Sequence, residues 1–394
     1  MENKKIGIIT FHTPISFGAH FQCLALQLYL RKQGYDAEVI DYSMRGYLEY
    51  RTKHKLISFI ARAIKVLPLI FQRVKTQSLE LEKRGLMKPF ADALIERDKK
   101  FLVFRNQYYH MSSQSYTGCM QIKSNPPCYD AYICGSDQIW NPNFCDSDDN
   151  YFLAFAPRDK RIAYAPSFGV SSIPWIYRTK YKVRLNAIPY LSVREVTGQK
   201  IIKQITGRDV PVVIDPTLLI SREDWTEISE QSYLKLPDHY ILTYFIGIDK
   251  YIHDSIHKTK SFFHGLEVIN LVFDQSSYGP CDFLKLISHA DFVLTNSFHG
   301  MVFCINFEVP FMVCKSNKDI GKTSGFSRME DLLVSLGLED RILDVTHELH
   351  NECLQIDYEK VSRLRNSLYN QSATFLKSSI DNVFKKSSKI MNKN

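Results

Sequence analysis

Residues 6–42 read IGIITFHTPISFGAHFQCLALQLYLRKQGYDAEVIDY, a strand, a helix and a strand in succession. A β-branched run at 6–11 gives way to a helical apolar pattern at 19–33 and then to a second β-branched run at 37–42. That is the opening of a parallel sheet. The alternation continues with strand candidates at 129–134, 161–166, 190–193 and 210–214. A second series follows at 240–246, 266–273, 292–295 and 311–314, with helical patterns at 281–289 and 328–336. The stretch 215–238 separates the two series, so the expected fold is α/β: two Rossmann-like domains, residues 1–222 and 223–394, with a cleft between them. Residues 45–111 interrupt the first domain as a helix-rich, basic insertion, and the lysine-rich tail at 376–394 reads as a helix that frays.

The 394 residues carry 50 Lys and Arg against 42 Asp and Glu, a formal charge of +8, which favours anionic partners such as phosphates, phospholipid head groups or acidic glycans. Nine cysteines, odd in number and without a C-x-x-C pair, read as buried reduced thiols and argue against a zinc knuckle or a secreted disulfide framework. The N-terminal MENKKIGIITF lacks the apolar stretch of a signal peptide, and no apolar run reaches the ~18 residues of a membrane helix, so a cytoplasmic location is expected. Between 51 and 75 seven Lys or Arg and no acidic residue interleave with Leu, Ile, Val and Phe. This segment reads either as a core-packing helix with a solvated basic face or as a peripheral attachment to an anionic inner membrane face.

Ligands of open parallel sheets gather beyond the carboxyl ends of the strands, and three stretches stand there. Thr295-Asn296-Ser297-Phe298-His299-Gly300 joins a strand to a helix, where unsatisfied N–H groups and the helix dipole favour an anion. Gly300 permits close backbone approach, Ser297 supplies a hydroxyl and His299 a titratable ring; a satisfied cap histidine is the structural alternative. Ser192-Val193-Arg194-Glu195 offers a planar guanidinium for a carboxylate or phosphate, or else a surface Arg194–Glu195 pair. Gly135-Ser136-Asp137-Gln138-Ile139-Trp140-Asn141 groups a carboxylate, an amide and a ring in the manner of a sugar site, or else starts a helix capped by Asp137.

Other signatures fail. No G-x-G, G-x-S-x-G or H-E-x-x-H occurs, and Ser316 stands where a P-loop ending in Gly321-Lys322-Thr323 needs its first glycine. Asp146-Ser147-Asp148-Asp149 reads as a solvated acidic loop rather than a cation site, and the positive charge joins no nucleic-acid motif, so no nucleic-acid partner is expected.

Taken in order, Ile6-Gly7-Ile8-Ile9-Thr10-Phe11-His12, Phe17-Gly18-Ala19 with Gln22, Val39-Ile40-Asp41-Tyr42, the Gly135 to Asn141 stretch, Ser167-Phe168-Gly169, Ser192 to Glu195, Asp215-Pro216-Thr217-Leu218-Leu219 and Ser297 to Gly300 resemble the polysaccharide pyruvyl transferase family. The insertion fits that pattern least, and Phe298 stands where a basic residue commonly precedes the histidine. The resemblance implies a GT-B-type glycosyltransferase-like fold, 1–222 serving the acceptor and 223–394 the donor. It implies transfer of pyruvate from phosphoenolpyruvate, as a cyclic ketal, to a sugar of a bacterial surface polysaccharide unit carried on polyprenyl diphosphate, with no metal or other cofactor.

Carried onto this chain, the resemblance gives Arg194 and Arg328 the donor's carboxylate and phosphate, and Ser297 and the Gly300 backbone further hydrogen bonds. His299 becomes the acid or a second phosphate ligand, and Asp137 the base or a sugar ligand. Ser136, Gln138, Trp140 and Asn141 shape the acceptor side, and Gly18 lines the same cleft from the first strand-to-helix turn. Two rivals stay open: a GT-B-type sugar-nucleotide glycosyltransferase using Glu308 as ribose ligand, and a non-catalytic carbohydrate-binding member of a polysaccharide assembly complex.

Overall fold

The computed structural model describes residues 4–44, 87–143, 148–247, 250–272, 277–315, 326–343 and 349–391. The basic stretch 51–75, Asp146, Ser147, Ser316 and the Gly321-Lys322-Thr323 sequence lie outside them.

The first unit runs β1 (Lys5–Ile9), α1 (Phe17–Lys32), β2 (Asp36–Ser43), α2 (Met87–Tyr108), β3 (Met111–Thr117), α3 (Cys119–Ser124), β4 (Ala131–Cys134), β5 (Arg161–Ala163), α4 (Trp175–Asn186), β6 (Tyr190–Leu191) and α5 (Val196–Thr206). Its strands pair in parallel in the order β3-β2-β1-β4-β5-β6, the doubly wound Rossmann order. The second unit runs α6 (Arg222–Ser229), β7 (Tyr240–Phe245), α7 (Lys250–Phe262), β8 (Glu267–Val272), α8 (Pro280–Ser288), β9 (Phe292–Thr295), α9 (Phe298–Phe307), β10 (Phe311–Cys314), α10 (Ser327–Leu336), β11 (Ile342–Leu343) and α11 (Tyr358–Met391). Its parallel order, β11-β10-β9-β7-β8, is 2-1-3-4-5 when counted from its own first strand. Each sheet thus has a switch point, β1/β4 in one and β7/β9 in the other, where the loops diverge and leave room for a ligand.

Burial explains the placement. β4 is buried at every position and β1 at all but its first, as strands covered on both faces must be. A helix that is apolar all round has to be enclosed, and both α1 and α9 are. In α1, Phe17 stacks on Phe283 of α8 at 4.4 Å, and Phe21 meets Phe303 of α9 at 4.8 Å and Trp225 of α6 at 5.7 Å. One aromatic core therefore joins the units. The terminal helix α11 bridges them as well. Its start donates from Tyr358 to the Val309 carbonyl (2.7 Å); farther on, Ser372 Oγ accepts the Ile214 N–H (3.0 Å), and Tyr369 and Phe384 pack on Tyr29 and Tyr35.

The run 210–214, expected to be a strand, forms only a bridge between Val193 and Val212. Pro211 has no N–H to extend it into a ladder. Conversely β3, MSSQSYT, was hidden by its polarity: it is a partly exposed edge strand.

Candidate active site

The loops leaving β4, β5, β6 and β9 at their carboxyl ends converge on the turn that links the two units. At its centre lies Asp215, 1% exposed. Its Oδ1 accepts the Thr217 N–H (3.0 Å) and hydroxyl (2.7 Å) as the cap of a 3-10 turn, Pro216–Leu218. The Thr217 carbonyl is gripped in turn by Trp225 Nε1 and Asn306 Nδ2, both at 3.1 Å. With the turn so pinned, Asp215 Oδ2 accepts from Arg194 Nη1 at 2.6 Å and lies 3.8 Å from His299 Nε2. Burial alone would raise this carboxyl, but the His299 ring and the Arg194 guanidinium outweigh it and hold it well below the usual carboxylate range.

Arg194 and His299, from different units, are thereby joined through one carboxylate. The Arg194 side chain is only 2% exposed and also faces Asp137 (3.8 Å) and Glu195 (3.9 Å), so the expected surface pair with Glu195 is a buried one. Glu195 Oε1 accepts from Ser167 Oγ (2.9 Å) and the Phe168 N–H (3.0 Å), and burial pushes its carboxyl up. Arg194 bonds Asp215 through Nη1 alone, its Nε and Nη2 having no hydrogen-bond partner, and it is buried rather than standing open to a substrate anion as expected.

The more available cation is Arg328. It is half-buried where Arg194 is buried, and its Nε, like Nε and Nη2 of Arg194, has no hydrogen-bond partner. Burial, then the nearby charge of Arg194, bring its pKa down to about 10 against the opposing pull of Asp137, Glu195 and Asp215. Both guanidiniums lie on Phe298, Arg194 at 4.5 Å and Arg328 at 5.5 Å from the ring centroid. Phe298 is thus a cation platform rather than a missing base.

His299 is the one residue of α9 that is not buried. Its ring rests on the start of α1, where a Cβ at Gly18 would stand 2.0 Å from Nδ1. Only glycine leaves space for the ring. Ser297 caps α9, its Oγ accepting the Gly300 N–H at 3.3 Å. Gly300 itself is packed by protein, since a Cβ there would stand 2.7 Å from Thr295 Oγ1, so both its surface and its N–H are taken and it is no ligand contact.

The acceptor-side expectations divide. Asp137 (φ +63°) is 15% exposed and borders Arg194; it starts no helix. Gln138 is partly exposed beside it and accepts from Asn141 Nδ2 at 2.7 Å, which makes Asn141 its support. Trp140 is core instead: fully buried, stacked on Phe152 at 5.1 Å and donating to the Tyr151 carbonyl, it offers no face to a sugar. Ser136 is equally buried, 2.7 Å from the Ala165 carbonyl and 3.3 Å from Asp215, a support of that carboxylate rather than a sugar contact. Asp148 and Asp149 are not a solvated pair, for Asp148 accepts from Tyr42 (2.5 Å) and Asp149 from Arg184. Glu308, the ribose ligand of the glycosyltransferase reading, closes the far end of α9 and pairs with Arg222 at 2.7 Å.

A second polar knot braces the first unit. Asp41 takes His12 Nε2 (3.0 Å), Ser115 Oγ (2.6 Å) and Arg105 (3.4 Å), and the hydrogen bond from His12 above all holds its pKa at about 2 despite partial burial.

Two parallel-sheet α/β units, with an Asp–His–Arg cluster where their carboxyl edges meet, define a two-Rossmann protein. Comparison with known families is more specific. The chain belongs to the polysaccharide pyruvyl transferase family, a family of transferases, whose model matches residues 17–318. Among solved structures it is similar to the ADP-heptose LPS heptosyltransferase II of E. coli (12% identity, 94% of this chain and 99% of that one, TM-score 0.34). It is also similar to the UDP-GlcNAc 2-epimerase of Methanocaldococcus jannaschii (12%, 93% and 93%, 0.45) and the glycosyltransferase SnogD of Streptomyces nogalater (11%, 96% and 100%, 0.42). A search of curated proteins gives no match.

Proposed function

We propose that this protein transfers the pyruvate of phosphoenolpyruvate to two hydroxyls of a sugar as a cyclic ketal, on a polyprenyl diphosphate-linked polysaccharide unit. The observation that carries the reading is His299 held between Gly18 and the Asp215 carboxylate, with the Arg328 guanidinium on the adjoining Phe298. Family membership supports it. The donor brings a carboxylate and a phosphate, for which Arg328 and the start of α9 supply positive potential. His299, set 3.8 Å from the Asp215 carboxylate, gives a proton to the methylene carbon and makes C2 electrophilic. One sugar hydroxyl attacks C2, the C2–O bond to phosphate breaks, and the second hydroxyl closes the ring. Of the two hydroxyl protons, one restores His299 by way of Asp137 and the other leaves with phosphate. Arg194 positions Asp215.

Thermal melting with phosphoenolpyruvate, UDP-sugars and GDP-sugars tests the donor, because a native-state ligand stabilises by mass action. A shift with phosphoenolpyruvate alone, retained in His299→Gln while turnover drops by roughly 10²-fold or more, is the expected result. A shift with a sugar nucleotide alone would move the assignment to a glycosyltransferase. Binding of phosphoenolpyruvate without turnover across many acceptors would make the protein a carbohydrate-binding member of an assembly complex.

A further inference from the structure

Helix α4, WIYRTKYKVRLN, is anchored by Tyr181, Arg184 and Leu185, yet Trp175 is 81%, Ile176 56% and Val183 67% exposed. At 100° per residue, Trp175, Ile176, Thr179 and Val183 fall on one outward stripe. Arg178 and Lys182 flank it on one side and Lys180 on the other. The helix contains no acidic residue; Arg184 turns inward to Asp149, on which the charge of Lys180 also acts. An apolar ridge between cation rows is what a helix lying in a bilayer interface presents: rings at the head-group level, with charged tips reaching for lipid phosphates. A second copy of this chain would bring cations against cations, whereas an anionic bilayer complements them. We propose that α4 seats the first unit on an anionic lipid surface.

The position suits the site. The chain leaves the seam at Ser167, whose hydroxyl meets Glu195, and passes Gly169; Trp175 comes six residues later, within about 20 Å by chain length. The inference stands on this surface and not on the proposed reaction, and it concerns a different segment from 51–75.

The protein carries its own reporter. It has three tryptophans, and Trp140 and Trp225 are fully buried, so a change on membrane contact reads Trp175. Full-length protein mixed at low salt with phosphatidylglycerol vesicles should show a blue shift and quenching by brominated acyl chains, absent with phosphatidylcholine and reversed by high salt. Arg178→Gln with Lys182→Gln should weaken sedimentation with these vesicles about 25-fold, from roughly five-fold per cation. Trp175→Ser, Ile176→Ser and Val183→Ser together should abolish it with melting unchanged, since these side chains are exposed. No shift and no sedimentation would overturn the proposal. So would undiminished binding in the triple variant, which would place the contact elsewhere, or a concentration-dependent dimer that the triple variant dissolves.

Discussion

Replacing Gly18 by Ala opposes two effects of known sign. Gly18 lies in the first turn of α1 with an ordinary φ, so on helix propensity alone alanine would stabilise by about 0.5–1 kcal/mol. Its methyl carbon, however, would stand 2.0 Å from His299 Nδ1 and 2.7 Å from its Cγ, whereas non-bonded atoms prefer about 3.5–4 Å, so roughly 1.5 Å must be made up. Neither helix can retreat: α1 is fixed by Phe17 on Phe283 and Phe101, and α9 by buried Phe298 and by Asn306 on the linking turn. The ring must therefore swing away from Asp215. Overpacking of this kind costs about 1–3 kcal/mol, and a catalytic group displaced by about 1 Å loses on the order of 10²-fold in rate. The expected result is a modestly lowered Tm, a moved His299 Cε1–H NMR signal (assigned through His299→Gln) and phosphoenolpyruvate turnover down about 100-fold. A raised Tm with the His299 signal and turnover unchanged would mean that the ring does not rest on Gly18, and the description of the site would fall with it.

Asp215→Asn leaves Arg194 buried and partly uncompensated, so denaturant unfolding should show a loss of about 3–5 kcal/mol. Because the folded pKa of Asp215 is depressed, its contribution is present above the unfolded carboxyl value of about 4 and fades as the pH falls below it; the variant should lack that part of the acid slope. Asp41, lowered from 3.8 to about 2, follows the same sign, and Asp41→Asn should cost about 2 kcal/mol at neutral pH and almost nothing near pH 2. Trp140→Ala should cost about 3–5 kcal/mol as a core truncation, whereas Trp140→Phe should leave acceptor affinity, measured by calorimetry, at the wild-type value.

Much of the fold could be read because buried parallel strands are uninterrupted apolar runs: 292–295 and 311–314 match β9 and β10 to the residue. Polar edges carry no such signal, and β3 was lost for that reason. Within the site, position after a strand pointed to Arg194, Asp137 and His299, but position cannot separate a side chain that turns into the seam from one that turns into the core. Trp140 and Ser136 went the second way. Asp215 was visible only as part of a motif, because it sits in the stretch that separates the two series; a carboxylate before Pro-Thr and directly after the apolar run 210–214 was the available clue to a capped turn. The pairing of Phe298 with two guanidiniums needs contacts from three separate segments, which no local pattern encodes.

The return of α11 to the first sheet has a consequence for synthesis. Tyr29 and Tyr35 emerge early from the ribosome, yet their partners Tyr369 and Phe384 come some 340 residues later. At about 5–20 residues per second, that flank of the nascent first unit stays uncovered for on the order of tens of seconds. The half of the molecule made first is therefore the half finished last, and a ribosome that stops before residue 369 releases an N-terminal unit with an apolar side bare to solvent and to chaperones.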